Sequence, residues 1–243
     1  MIFNDREVKP YKITEDKDTL LNTNNTEKKI LVTDFDDTLA LTAIKHFHLV
    51  QNSKNVETYK KYMNINQTSQ RFFYSRTEYY TSKWLKRPEV DEIPKEIANE
   101  ITDLFNLPDF YDDVKPTKFA IALKEYLKQP YCEKIYVISH CLSDTAADAK
   151  IKWLVDFYKD CNPEKIEFIP TTDTRKSIPI MERGIKWDIF ADDRLECIYD
   201  MVLYGQGFGN EILIPEFGYN KPTERFSNLV EKFNLQTFYM NVL

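Results

Sequence analysis

The chain has 243 residues, 42% of them hydrophobic and 30% charged, and a formal net charge of -6 at pH 7. This length suits one large domain or a core with an inserted subdomain, and the acidic balance excludes strong general nucleic-acid binding through a whole-protein basic field. No apolar run approaches the roughly 20 residues that span a bilayer and the N-terminus lacks the apolar core of a secretory signal, so no membrane partner and a cytoplasmic location are expected.

Residues 1–28 are polar and read as an N-terminal arm. Lys29 to Leu39 begins with the apolar run Ile30, Leu31 and Val32, a buried strand, and continues into Asp34, Asp36, Asp37 and Thr38. Three acids so close repel one another and add nothing to a core. A divalent cation and a phosphate-like substrate at the strand end account for them.

The next comparable apolar run, Ile135 to Ile138, ends at Ser139. The intervening stretch is mostly helical in pattern, over Thr68 to Lys86 and then Pro94 to Asn106, with Ile97, Ile101, Leu104 and Phe105 on one face. It is too long for a simple crossover and reads as a helical cap inserted over residues 41–114. Within it, Phe73, Arg76, Tyr80 and Trp84 follow helical spacing and share one face. That face can stack a nucleobase and attract phosphate, or its aromatics can pack the cap's own small core.

After the cap, helices and strands alternate. Helices are predicted over Thr117 to Lys128, Ser143 to Tyr158 (apolar stripe Ala147, Ile151, Leu154 and Val155) and Thr223 to Phe233. Strands are predicted over Lys134 to Ser139, Ile166 to Pro170, Trp187 to Ala191 and Glu211 to Ile214. The pattern predicts an α/β, Rossmann-like parallel sheet covered on both faces, built from residues 29–40 and 115–243. Ligands of such sheets bind beyond the carboxyl ends of the strands. Asp34 and Asp36, Ser139 and His140, and Asp192 and Asp193 all fall there.

The remaining candidates have plainer readings. Cys132, Cys141, Cys161 and Cys197 are scattered, without zinc-ligand spacing, and read as free, mostly buried thiols. His46 and His48 are two apart and cannot share a helix side, and none of the three histidines is given a catalytic role. Gly205, Gly207 and Gly209 follow a helix and precede a strand, which suits a helix C-cap and connection rather than a phosphate loop.

Asp34-Phe-Asp-Asp-Thr38, Ser139 after Tyr136-Val-Ile, and Phe190-Ala-Asp-Asp-Arg194 resemble the first, second and fourth motifs of the haloacid dehalogenase-like phosphatases. Lys176 is the best match to the third, a lone lysine; Arg175 beside it is an alternative, Lys186 adjoins the strand, and Lys150 and Lys152 fall too early. The resemblance implies a phosphomonoester hydrolase that uses Mg2+, with Asp34 as nucleophile and Asp36 as general acid/base. It implies metal ligation by Asp34, Asp192 and the backbone carbonyl of Asp36, and phosphate binding by Ser139 and Lys176. Thr38 is expected to tie down the loop, and Asp193 to ligate through water or to orient the lysine. A small phosphorylated substrate is implied, a nucleotide first, as in the deoxyribonucleotidase-like branch, with Arg76, Tyr80 and Trp84 as candidate cap contacts. A nucleic-acid 3′-phosphatase is a variant of this reading. The alternative is a non-catalytic binding or structural component of a larger viral or cellular assembly.

Overall fold

Six parallel strands form one sheet in the order β3-β2-β1-β4-β5-β6. They are β1 (Lys29–Thr33), β2 (Cys132–His140), β3 (Ile166–Thr171), β4 (Ile189–Ala191), β5 (Glu211–Pro215) and β6 (Gln236–Met240). The computed structural model describes residues 27–68, 76, 81–205, 209 and 211–241. From β1 the chain steps outward to β2 and β3, then returns across β1 to lay down β4, β5 and β6 on the other side. The order therefore reverses between β1 and β4, and a crevice opens at their carboxyl ends.

The period of two in a strand decides what each sheet face buries. Leu31, aligned with Ile135 and Ile189, faces one cluster, while Val32, aligned with Tyr136 and Phe190, faces the other. Helices α5 (Lys118–Leu127) and α6 (Asp144–Tyr158) cover the first face. Helices α7 (Ser177–Glu182), α8 (Leu195–Tyr204) and α9 (Glu224–Phe233) cover the second. Full burial of a side chain such as Leu31 or Phe190 contributes roughly 1.5–3 kcal/mol, so this two-sided cover is what holds the sheet. Thr117, Ser143 and Thr223 each accept a hydrogen bond from the backbone N–H three residues on, and so fix where α5, α6 and α9 begin.

Two sequence expectations need correction. β6 is absent from the predicted strands, because Gln236-Thr-Phe-Tyr-Met240 is a half-buried edge strand that is neither uniformly apolar nor cleanly alternating. The predicted stripe of α6 holds only in part: Ala147 and Leu154 are buried, but Ile151 and Val155 are exposed, and Ala146, Lys150 and Trp153 complete the buried face instead. Of the helical stretch expected over Thr68 to Lys86, the described residues show Thr81–Leu85 as helix, and residues 69–75 and 77–80 lie outside the described residues.

Between β1 and β2 the described residues form α1 (Thr42–Gln51), α2 (Val56–Tyr62), α3 (Thr81–Leu85) and α4 (Lys95–Asp103), followed by a 3-10 turn at Leu104–Asn106. Phe47, Val50, Tyr59, Met63, Leu85 and Ile101 build a separate apolar cluster there. Gly205 caps the end of α8, in line with the reading of the glycine run; Gly207 lies outside the described residues. All four cysteines are buried and free. Among the described residues no helix is long and apolar enough to cross a membrane.

Candidate active site

The end of β1 is pinned from both sides before it turns. The Asp34 N–H donates to Ala191 O at 2.8 Å, and the next residues curl so that Leu39 and Ala40 N–H both return to Phe35 O. The turn requires a left-handed residue, Asp37 at φ 56°, a conformation that Asp tolerates better than most side chains. Thr117 Oγ1 donates to Thr38 O at 2.7 Å. Thr38 therefore ties down the loop through its backbone, while its own hydroxyl is buried with no hydrogen-bond partner among the described residues.

Lys176 sits at the start of α7, where a cation opposes the helix dipole. Asp200, from α8, takes over the capping: it accepts from both the N–H and the hydroxyl of Ser177. The lysine side chain is thus turned inward, 5% exposed, with Nζ 2.6 Å from Asp34 Oδ1 and 2.7 Å from Asp192 Oδ2. Burial pulls its ammonium toward neutrality, but Asp192 and Asp34 outweigh this and hold its pKa well above the usual lysine value. Arg175 is exposed and reaches toward Asp200 instead.

At the end of β4, burial pushes the Asp192 pKa up to about 6 even with Lys176 beside it, and its Oδ1 accepts from the Arg194 N–H. Asp193 is raised further, first by burial and then by Asp192, Asp34 and Asp37. Of the two roles expected for Asp193, the structure shows no bond to the lysine: its Oδ2 accepts from the Tyr219 hydroxyl and its backbone O from Asn220, while Oδ1 is buried without a hydrogen-bond partner among the described residues.

Asp34, Asp192 and Asp193 each bring a carboxylate oxygen to within 4.8 Å of the others. Hard oxygen donors, crowded, buried and one of them unpartnered, fit a divalent cation such as Mg2+. When all five of Asp34, Asp36, Asp37, Asp192 and Asp193 are ionised, the cationic side chains of Lys150, Lys176 and Arg76 leave two negative charges over, a balance that a divalent cation would close.

Two residues that sequence reasoning set aside belong to this cluster. Lys150, passed over because it lies early in the chain, is 2% exposed, with Nζ 2.5 Å from Asp36 Oδ2 and 2.8 Å from Ser139 Oγ. Its signal was its phase, since 146, 147, 150, 153 and 154 form one helix face with a lysine among apolar residues. Asp37, to which no function was assigned, accepts from Ala43 N at 2.8 Å and from Thr42 Oγ1, thereby capping α1, and pairs with Arg76 Nη1 at 2.8 Å.

A cavity of about 290 Å3 adjoins these groups, with Ser139, Lys150 and Lys176 on the sheet side and His46, Thr81 and Phe105 opposite. Of the predicted contacts from the insertion, Arg76 borders the cavity but is engaged by Asp37 and lies 5.0 Å over the Tyr219 ring. Trp84 packs against the insertion's own apolar cluster, and Tyr80 lies outside the described residues. His46 is a buried structural residue bonded to Thr81 and Ile101.

No protein-family model matches the chain, and no curated protein matches it by sequence. Solved structures do match. A haloacid dehalogenase-like family hydrolase from Streptococcus pneumoniae superposes with a TM-score of 0.51 at 12% identity, over 89% of this chain and 96% of its own. A candidate phosphatase from Clostridium difficile gives 0.53 at 13% identity, over 89% and 95%. The fold is haloacid dehalogenase-like. At such low identity, what this chain does rests on its own residues.

Proposed function

We propose that the protein is a Mg2+-dependent phosphomonoester hydrolase that works through an aspartyl-phosphate on Asp34. The observation that carries the reading is the grouping of Asp34, Lys176, Asp192 and Asp193 at the β1/β4 crevice, with Asp36 two residues beyond Asp34. Asp34 and Asp192, with Asp193 beside them and the Asp36 carbonyl, would hold the ion. When bound, a divalent cation offsets the charge of the phosphoryl group and so lets an anionic nucleophile approach it.

The side chains divide the chemistry. An Asp34 carboxylate oxygen attacks phosphorus, the bond to the ester oxygen breaks, and Asp36 gives that oxygen its proton, releasing an alcohol. Asp36 then takes a proton from water as the water oxygen attacks phosphorus and the bond to Asp34 breaks, releasing inorganic phosphate. Ser139 donates a hydrogen bond to a phosphoryl oxygen. Lys176 neutralises the phosphoryl charge and keeps Asp34 from repelling it.

The substrate is a small phosphate ester, a nucleotide first, since the cavity is at the small end of ligand pockets and carries the Phe105 ring on its wall. The helices between β1 and β2 act as a cap that excludes water from the site. The test is phosphate release from a panel of nucleotides, sugar phosphates and 3′-phosphorylated oligonucleotides, with magnesium and with chelator. Metal-dependent release that Asp34→Asn abolishes is expected. No release from any of them by folded, magnesium-loaded protein would overturn the reading.

A further inference from the structure

Building on the hydrolase reading above, we propose that Lys150 and Tyr111 are positioning residues that hold the Asp36 carboxylate in one orientation for proton transfer. The Lys150 Nζ has three acceptors around it: Asp36 Oδ2 at 2.5 Å, Ser139 Oγ at 2.8 Å and His140 O at 3.0 Å. An ammonium has three donors, so this set uses all of them. The Tyr111 hydroxyl, on a residue 4% exposed, donates to the other oxygen, Asp36 Oδ1, at 3.4 Å. The Ser139 hydroxyl donates to Oδ2 at 3.3 Å. Both oxygens of Asp36 are therefore engaged, and turning the carboxylate breaks contacts on both sides.

The two buried lysines thus serve different acids. Lys176 bridges Asp34 and Asp192, whereas Lys150 binds Asp36 and the hydroxyl of Ser139. Lys150 is itself fixed: it projects from the buried face of α6, and its Nζ lies 5.5 Å from the ring centroids of both Phe35 and Tyr111. By accepting from Lys150, the Ser139 oxygen is left to donate its own proton elsewhere, to Asp36 here and to a phosphoryl oxygen in the substrate complex.

Orientation matters because Asp36 must meet the ester oxygen while the phosphorus–oxygen bond is breaking. The electron pair of that bond stays on the ester oxygen, which takes the proton carried by the acid form of Asp36 on Oδ1, the oxygen that Lys150 does not hold. Lys150 and Tyr111 exchange none.

The test compares an alkyl phosphate, whose alkoxide must be protonated to leave, with 4-nitrophenyl phosphate, whose phenolate leaves unprotonated. In Lys150→Met the ratio of alkyl to aryl kcat is expected to fall by about 30- to 100-fold, within the range attributed to general acid catalysis, and in Tyr111→Phe by about 3- to 10-fold. KM is expected to stay within about threefold for both substrates, because phosphate binding is left to other groups. An unchanged ratio, with kcat and KM altered equally for the two esters, would make Lys150 a phosphate ligand and overturn the proposal. Tyr111→Phe removes a single hydroxyl and carries the same comparison if Lys150→Met does not fold. A readout that needs no turnover is the crystallographic order of Asp36: one carboxylate orientation in the parent, several in Lys150→Met. An unmoved, fully ordered Asp36 in the variant refutes positioning even if the parent hydrolyses nothing. Disorder of Asp36 in the variant of an inactive parent would instead remove the hydrolase reading and leave the positioning role in place.

Discussion

Replacing His46 with Gln isolates one titration from all the carboxylates around the site. His46 is 2% exposed, its ring stacked 4.0 Å from Phe105, with Nδ1 3.0 Å from Thr81 Oγ1 and Nε2 2.7 Å from Ile101 O. The carbonyl can only accept, so Nε2 carries a proton and donates, and in the neutral ring Nδ1 accepts from the hydroxyl. Burial, helped by the Arg76 charge, lowers its pKa from 6.5 to about 4 despite the Ile101 bond. The unfolded chain takes up this proton below about pH 6.5, and the fold does not until about pH 4, so stability falls as pH drops through that window. The full loss is about 3 kcal/mol and at about pH 5 some 2 kcal/mol of it is already gone. Urea unfolding of parent and His46→Gln at about pH 7.5 and about pH 5 measures it. The variant loses the ring stacking at both pH values, but the parent alone should weaken by the additional ~2 kcal/mol on acidification, since the other titrating groups are common to the two proteins. Equal slopes, or a His46 NMR titration midpoint near that of a free histidine, would refute the assignment of His46 as a buried neutral residue joining α1, α3 and α4.

Two further outcomes follow from buried contacts. Arg76→Leu leaves the Asp37 carboxylate, 3% exposed, without its cation, and the loss expected for breaking a buried ion pair is about 3–5 kcal/mol, read as a lower urea midpoint. Burial already raises the Asp37 pKa above 3.8, so this variant should be penalised more at about pH 8 than at about pH 5, where the carboxyl can accept a proton in place of the arginine. Gly209→Ala places a Cβ 2.0 Å from the backbone O of Asp188, a residue whose side chain also holds the Ile30 N–H. Overpacking against main chain costs about 1–3 kcal/mol, and thermal denaturation should show it as a lowered midpoint.

What was legible in the sequence, and what was not, follows from how many constraints act on each position. Asp34, Ser139 and Asp192 stand at the ends of short apolar strands, and one rule about parallel sheets sends all three to the same edge, so the residues and their meeting place could be read together. Lys176 was recoverable for a related reason: the structure sets it one residue before α7, within reach of two of those strand ends. The helical side of the site obeys no such rule. Lys150 lies inside α6 and was set aside because it falls early in the chain; the stripe of Ala147, Ile151, Leu154 and Val155 did not include it, whereas the packing of Ala146, Ala147 and Trp153 turns it inward. Tyr111 and Asp37 were opaque because their partners are remote in sequence: Tyr111 meets Asp36 across 75 positions and Asp37 meets Arg76 across 39. A pattern of periodicity carries no information about such pairs. The same reasoning applies to Trp84, whose helical spacing to Arg76 left open a face toward a ligand or packing in the local apolar core. In the fold one side chain turns to the apolar cluster between β1 and β2 and the other to the buried carboxylate of Asp37 in the loop after β1. Strand ends reveal where chemistry gathers, and the helices that orient it are legible only once their rotation is known.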